Sequence, residues 1–207
     1  MLLVTGALLT VSCNSCQSSK NVIAPELYIQ RSPRFNTDSA YTFVAAQVAF
    51  GSRVPGTAEH AACGDWLVAK LNEFGAEVIE QKAEVTHYDG RNLPLRNIIA
   101  RYFPEKEKRV LLFAHWDSRP YADEEAEPTR QHQPIAGADD GASGEGVLLE
   151  IARQLQHQPT AVGVDIIFFD LEDWGQPSFS DKWVQGDWWC VGSRYWSEQP
   201  HVENYTA

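Results

Sequence analysis

The sequence is poor in positive charge and in cysteine. Lys and Arg number 17 against 28 Asp and Glu, so the 207-residue chain has a formal net charge of −11. Nucleic acids and anionic membranes are bound through clustered cations, so this balance argues against both as partners. Cys63 and Cys190 have no second cysteine nearby and so lack the spacing of a zinc finger, which argues against a cysteine-ligated metal.

An apolar run opens the chain at Met1–Ser12. It is too short to span a bilayer but has the length of a signal-peptide core. The run ends in small residues before Cys13 and so resembles a bacterial lipoprotein signal, with Cys16 as the weaker lipidation candidate. We therefore expect export to the periplasm or anchoring by lipid, with residues 1–13 as the signal and 14–35 as a tether and N-terminal extension. The alternative is a frayed N-terminus.

The rest of the chain has the size of one domain. With 43% hydrophobic residues it can bury one sizeable core, and two ordinary domains would each be small. We therefore treat residues 36–207 as a single domain. Cys63 and Cys190 lie far apart in sequence, and the sequence does not decide whether they pair in an oxidising compartment.

Hydrophobic periodicity predicts an α/β fold. Helices are predicted at Ala40–Phe50, Thr57–Phe74 and Ala142–Gln156, and strands at Val78–Tyr88, Leu95–Phe103, Val110–Ala114 and Val164–Phe169. Asp89-Gly90 between the first two strands favours an antiparallel pair. The last two strands are short apolar runs of the kind buried on both faces, and the helix between them makes them parallel. We expect a mixed, mostly parallel central sheet flanked by helices.

Acidic residues gather where the two predicted parallel strands end. Residues 115–118 (His-Trp-Asp-Ser) follow the first of these strands, and residues 170–173 (Asp-Leu-Glu-Asp) follow the second. Residues 137–144, with Asp139 and Asp140, open the helix between them. Ligands of such sheets collect beyond the carboxyl ends of the strands. One His and up to six carboxylates at one edge would repel one another unless a cation compensates, which predicts a divalent metal such as zinc.

Each of these residues also has a structural interpretation. His115 fits a core histidine hydrogen-bonded to Asp117. Asp139 or Asp140 fits a helix N-cap, where Asp is favoured. The acidic pair at 172 and 173 fits a solvated turn.

Three linked motifs and a later one resemble the zinc aminopeptidase superfamily that includes glutaminyl-peptide cyclotransferases. In order and spacing they are Phe113–Ser118, Gly137–Gly144, Phe168–Asp173 and Gly192–Trp196. The resemblance runs from about the first helix to the end of the chain. The His-Trp-Asp-Ser segment and the Trp-rich insertion after Asp173 are more similar to the bacterial single-zinc cyclases than to the two-zinc peptidases.

The resemblance implies roles for individual residues. Asp140 and Asp173 would bind one zinc ion, although many relatives have Glu in place of Asp173, and Glu172 would be the general base and acid. In the two-zinc peptidases His115 would bind a second metal and Asp140 would bridge, whereas in the cyclases His115 and Asp117 would only orient the site. The candidate walls of the substrate pocket, with core packing as the alternative, are Trp174, Trp183, Trp188 and Trp189.

The family's third zinc ligand, a His from a late loop, has no counterpart in this chain, and His201 is in the wrong context. We therefore expect a partial catalytic domain at 36–207, belonging to a longer enzyme that converts N-terminal Gln to pyroglutamate with release of ammonia. Its expected partners are peptide or protein N-termini bearing Gln, with no nucleic acid, a monomeric state and membrane contact only through lipid. The alternatives are a zinc aminopeptidase and an inactive binding lipoprotein.

Overall fold

A computed structural model describes residues 32–206. The elements are α1 (Thr37–Ala49), α2 (Ala58–Glu73), β1 (Glu77–Thr86), β2 (Asn92–Tyr102), β3 (Arg109–His115), α3 (Ser143–Leu155), β4 (Gly163–Phe169) and α4 (Val191–Glu198). Among the described residues, no helix has the length and apolar character needed to cross a bilayer. The predicted signal with Cys13, and nearly all of the extension at 14–35, lie outside the described range and stay predictions.

The predicted helices begin and end at residues whose side chains or backbone conformation favour a helix end. Asn36 caps α1 by accepting a hydrogen bond from Ser39 N at 3.1 Å, and Thr57 caps α2 by accepting one from His60 N at 3.2 Å. Gly75 follows α2 with φ +80°, the left-handed conformation that ends many helices. The three predicted helices are confirmed to within a few residues at each end.

A four-stranded mixed sheet in the order β1-β2-β4-β3 forms the centre of the fold. The predicted antiparallel β1–β2 and parallel β3–β4 pairs are both present. These pairs meet because β2 also lies antiparallel to β4, a contact that the sequence pattern did not reveal. The mixed sheet flanked by helices is confirmed. In the described residues it is not mostly parallel, because β2 runs against both of its neighbours.

The main core lies between one face of the sheet and helices α1, α2 and α3. On the opposite face, Ile99 and Ile167 pack against Trp196 of α4. Strand β4 is therefore buried on both faces, as predicted. Strand β3 is not: it is at the edge of the described sheet, and the Phe113 side chain is 63% exposed. Strand burial depends on position in the sheet as well as on composition.

Candidate active site

Three segments meet at the carboxyl edge of β3 and β4. We name them the His115 loop (residues 115–118), the Asp140 loop (residues 137–142) and the Glu172 turn (residues 170–173). The first and third directly follow parallel strands, and the second leads into α3. The topology therefore brings together the segments that the sequence singled out, and buried side chains fix how they face one another.

Arg53 joins the His115 loop to the Asp140 loop. Its guanidinium is fully buried and donates hydrogen bonds to the carbonyl oxygens of Trp116, Ala136 and Gly137, at 3.0, 2.9 and 2.6 Å. Its own carbonyl accepts from Ser118 N at 3.1 Å. A charged donor to three carbonyls fixes backbone geometry strongly, because charge-assisted hydrogen bonds are about twice as strong as neutral ones.

Asp117 joins the His115 loop to the Glu172 turn. Its fully buried carboxylate accepts hydrogen bonds from the backbone N–H groups of Glu172 at 3.1 Å and Asp173 at 3.2 Å. The same carboxylate lies 3.4 Å from His115 Nδ1. One side chain thus orients the predicted base, a predicted metal ligand and the neighbouring histidine.

The start of α4 holds the Glu172 turn from the other side. The N–H groups of Cys190, Val191 and Gly192 donate to the carbonyl oxygens of Glu172, Leu171 and Asp170, respectively, each at 3.0 Å. A Cβ at Gly192 would lie 2.1 Å from the Asp170 carbonyl oxygen, so this close approach requires glycine. Leu171 and Cys190 both have positive φ, at 52° and 54°, which is uncommon for residues other than glycine. The Glu172 turn is therefore a tightly specified conformation.

The site concentrates negative charge around His115. Burial lowers the pKa of the His115 imidazole, but the hydrogen bond and charge of Asp117, with the charges of Asp140 and Glu172, outweigh burial and raise the pKa to about 9. Burial, followed by the charge of Asp117, raises the pKa of the Asp173 carboxyl to about 7, while Arg119 acts in the opposite direction. Both shifts mark a place where a cation would be stabilised.

The donor set fits a cation held by Asp140 and Asp173. Asp140 is 71% exposed and lies 3.8 Å from His115 Nε2, so its carboxylate is available for coordination. Asp173 is raised in pKa partly by the charge of Asp140, which places the two carboxylates within electrostatic reach of each other. Within residues 32–206, no three His, Cys, Asp or Glu side chains converge as a complete metal site. This chain therefore offers two carboxylate ligands, and their roles stay predictions.

We expect zinc affinity to fall as the pH drops below about 7. The raised pKa means that the Asp173 carboxyl is protonated below that value, so a metal ion must displace the proton. Zinc affinity should then fall by up to about tenfold for each further pH unit. Zinc titrations on both sides of this pH, with competing chelators, measure the slope. Asp173→Asn is the control and should bind weakly with a flatter profile. An unchanged slope in that variant would assign the proton to another group.

Two depressions flank the Glu172 turn. One, of about 260 Å³, is lined by Phe113, Ala114, His115, Phe169, Glu172, Cys190 and Ser193. The other, of about 430 Å³, is lined by Asp173 and Arg119 with Trp183 and Trp189, among others. Glu172 and Asp173 thus face different depressions, although they are adjacent in sequence.

The four predicted pocket tryptophans separate into two pairs. Trp183 and Trp189 are 69% and 40% exposed and line the Asp173 depression. Trp174 is 2% exposed and packs in a core cluster, and Trp188 packs on His87 at 5.3 Å between ring centroids. For Trp174 the structure favours the alternative of core packing, because the chain turns inward directly after Asp173.

Neither aspartate of the Asp140 loop caps α3. The helix begins at Ser143 with Ala142 as its N-cap and without a side-chain capping bond, and Asp139 instead accepts from Ser143 Oγ at 3.1 Å. The helix-capping interpretation is therefore wrong for both aspartates, and the Asp140 carboxylate is not used in a cap. Cys63 and Cys190 are both free thiols, so they do not form a disulfide.

Sequence reasoning missed the buried groups beneath the site. Arg53 and Asn97 form hydrogen bonds with backbone carbonyl and N–H groups, and no sequence motif predicts such contacts. Glu145 was also missed. Burial raises its pKa well above the usual range, and neither of its carboxyl oxygens has a hydrogen-bond partner in the described structure. A buried polar residue among the apolar positions of α3 is the one signal that could have found Glu145.

Residues 97–207 match the sequence profile described as Peptidase family M28. Among solved structures, the chain is similar to a Zn-dependent exopeptidase from Parabacteroides distasonis, with 56% identity and a TM-score of 0.81. It is also similar to the glutaminyl cyclases of Tannerella forsythia (53%, TM-score 0.81) and Porphyromonas gingivalis (56%, TM-score 0.77). These matches cover 84% or 85% of this chain and 59% or 60% of the relatives. The chain thus spans about three-fifths of their length.

Proposed function

Because the chain belongs to peptidase family M28, we propose that it acts as a zinc-dependent glutaminyl-peptide cyclotransferase. One observation carries the proposal: glutaminyl cyclases share more than half of their aligned residues with this chain over more than four-fifths of its length. The acidic site at the carboxyl edge of β3 and β4 supports it. The substrates would be peptides or proteins with an N-terminal glutamine.

Asp140 and Asp173 are the proposed zinc ligands from this chain. When bound, zinc supplies Lewis-acid polarisation of the side-chain amide carbonyl of the substrate glutamine. Asp117 fixes the backbone of Asp173 and so the direction of its carboxylate. Orientation of a ligand by hydrogen bonds to its surroundings is a general feature of metal sites.

Glu172 is the proposed proton carrier. The α-amine of the substrate attacks the side-chain amide carbon, and Glu172 accepts the proton that the amine loses as the new C–N bond forms. Glu172 then returns this proton to the leaving nitrogen as the old C–N bond breaks, so that ammonia departs. Position supports the role, because Glu172 lines the depression beside His115 and its backbone is held by Asp117 and Cys190.

A zinc aminopeptidase is the second candidate. In that reading Glu172 would activate a water molecule, and His115 and Asp140 would be among the residues that hold a second metal. The 3.8 Å separation of His115 Nε2 from Asp140 Oδ1 favours it, as does the exopeptidase name of one relative. Against it, two relatives of comparable identity are named glutaminyl cyclases. The contact of His115 Nδ1 with Asp117 favours neither candidate, because metal-binding histidines commonly bond a carboxylate through their other ring nitrogen.

Zinc content and product analysis separate the candidates. We expect one zinc per chain and release of ammonia from a glutamine-initiated dipeptide, with the peptide bond left intact, in a protein extended to the length of the relatives. Two zinc ions with release of a free amino acid would move the assignment to an aminopeptidase. Zinc binding without either product would leave a non-catalytic binding protein and contradict the proposal.

A further inference from the structure

A buried pair of side chains lies directly beneath the Glu172 turn. His60 Nε2, from α2, is 2.9 Å from Asp170 Oδ1, and the two side chains are 4% and 0% exposed. Neither residue faces either depression that flanks the turn. The pair is too far inside the protein to touch a substrate, so its contribution must be exerted through the turn.

Asp170 is the anchor of the turn. Its carboxylate accepts hydrogen bonds from Leu171 N and Arg96 N, both at 2.8 Å, besides the contact with His60. Its own N–H donates to Asn97 Oδ1 at 3.0 Å, and its carbonyl accepts from Gly192 N. Every polar group of Asp170 thus has a partner, and the bond to Leu171 stabilises a residue held at positive φ.

His60 also contacts the other loop of the site. Its ring stacks on Trp116, with the centroids 4.1 Å apart and the planes 15° from parallel. Trp116 is fully buried, directly follows His115 and donates its indole N–H to Arg96 O at 3.1 Å. One imidazole therefore connects the His115 loop, by stacking, with the Glu172 turn, by hydrogen bonding.

We propose that His60 is a positioning residue, which fixes the Asp170 carboxylate and through it the placement of Glu172 and Asp173. The inference rests on the proposed function for the part that concerns turnover. The part that concerns structure is independent of the proposed function, because displacement of the turn would also expose backbone N–H groups and move the Asp173 carboxylate. His60 acts from α2, outside the segments that carry the predicted reactive groups.

Two substitutions separate the two contacts of His60. His60→Phe keeps a ring to stack on Trp116 but removes the donor to Asp170. His60→Gln keeps an amide N–H at about the reach of Nε2 but removes the ring. If hydrogen bonding positions the turn, His60→Phe should lower kcat by about 10- to 100-fold with KM changed less than about threefold, and His60→Gln should restore most of the loss.

Two further measurements do not depend on turnover. In His60→Phe, hydrogen–deuterium exchange should quicken at the N–H groups of residues 171–173, and zinc should bind about tenfold more weakly. In His60→Gln both should stay near the wild-type values. Thermal unfolding of both variants reports the general loss of packing.

The outcomes are distinct. Equal losses in both variants that follow the fall in thermal stability would reduce His60 to a packing residue, and wild-type exchange in His60→Phe would also overturn the proposal. A wild-type protein that releases no ammonia would refute the proposed function alone. Exchange and zinc affinity would then still decide whether His60 positions the turn.

Discussion

Glu172→Gln is expected to abolish most turnover, with kcat lowered by about 10²- to 10⁴-fold and zinc content unchanged. Glutamine matches glutamate in shape but cannot accept the proton of the attacking amine. The backbone of residue 172 should stay in place, because its N–H is held by Asp117 and its carbonyl by Cys190. The loss would therefore report chemistry and not folding.

Steady-state kinetics of ammonia release, with metal analysis of the same preparations, make this measurement. Glu107→Gln is the matched control, because Glu107 is an exposed carboxylate just before the start of β3, at the opposite end of that strand from the site, and has no proposed role in the reaction. It should retain activity within about twofold of wild type. If Glu172→Gln lost zinc together with activity, Glu172 would have to be assigned as a ligand and the proton carrier sought elsewhere.

Asp117→Ala should weaken zinc binding and turnover by about 100-fold and lower the free energy of unfolding by about 1–3 kcal/mol. The substitution leaves the N–H groups of Glu172 and Asp173 without their acceptor in a buried place. It also frees His115 from its partner. Relief of charge crowding near Asp173 offsets part of the loss in stability.

Asp117→Asn provides the graded comparison. Its amide oxygen can accept from one of the two N–H groups, whereas its NH₂ faces the other as a second donor. We expect intermediate zinc affinity, read by chelator competition, and intermediate stability, read by thermal unfolding. Wild-type values in both variants would show that the Glu172 turn is held without Asp117, by α4 and Asp170 alone.

Much of the fold could be predicted because its signals are local. The signals that define the helices and strands lie within a few residues of them: the caps at Asn36 and Thr57, the terminator Gly75 and the apolar runs. Helix α4 has no such signal. It is short and has no side-chain cap, and its apolar residues Val191, Tyr195 and Trp196 are too few over eight residues for periodicity to predict a helix. The exposure of the Phe113 side chain could not be predicted either, because it follows from the order of the strands in the sheet.

The segments that form the candidate site could be predicted from the sequence, but the buried residues that hold these segments in place could not. Carboxylates at the ends of parallel strands must meet at one edge, and their family resemblance is confirmed by the match of residues 97–207 to family M28. The groups that aim these carboxylates were not predicted. Arg53, His60 and Asn97 contact backbone atoms or single buried partners far away in sequence, and such contacts leave no periodicity.

In the described part of the chain, one side of strand β3 has no partner strand. Of the described strands only β4 pairs with β3, and Phe113 presents its ring to solvent on that strand. An unpaired strand edge beside an exposed aromatic ring is a template for pairing between molecules. Phe113 also lines the depression that holds His115 and Glu172, so a strand that pairs with this edge would border the candidate site as well.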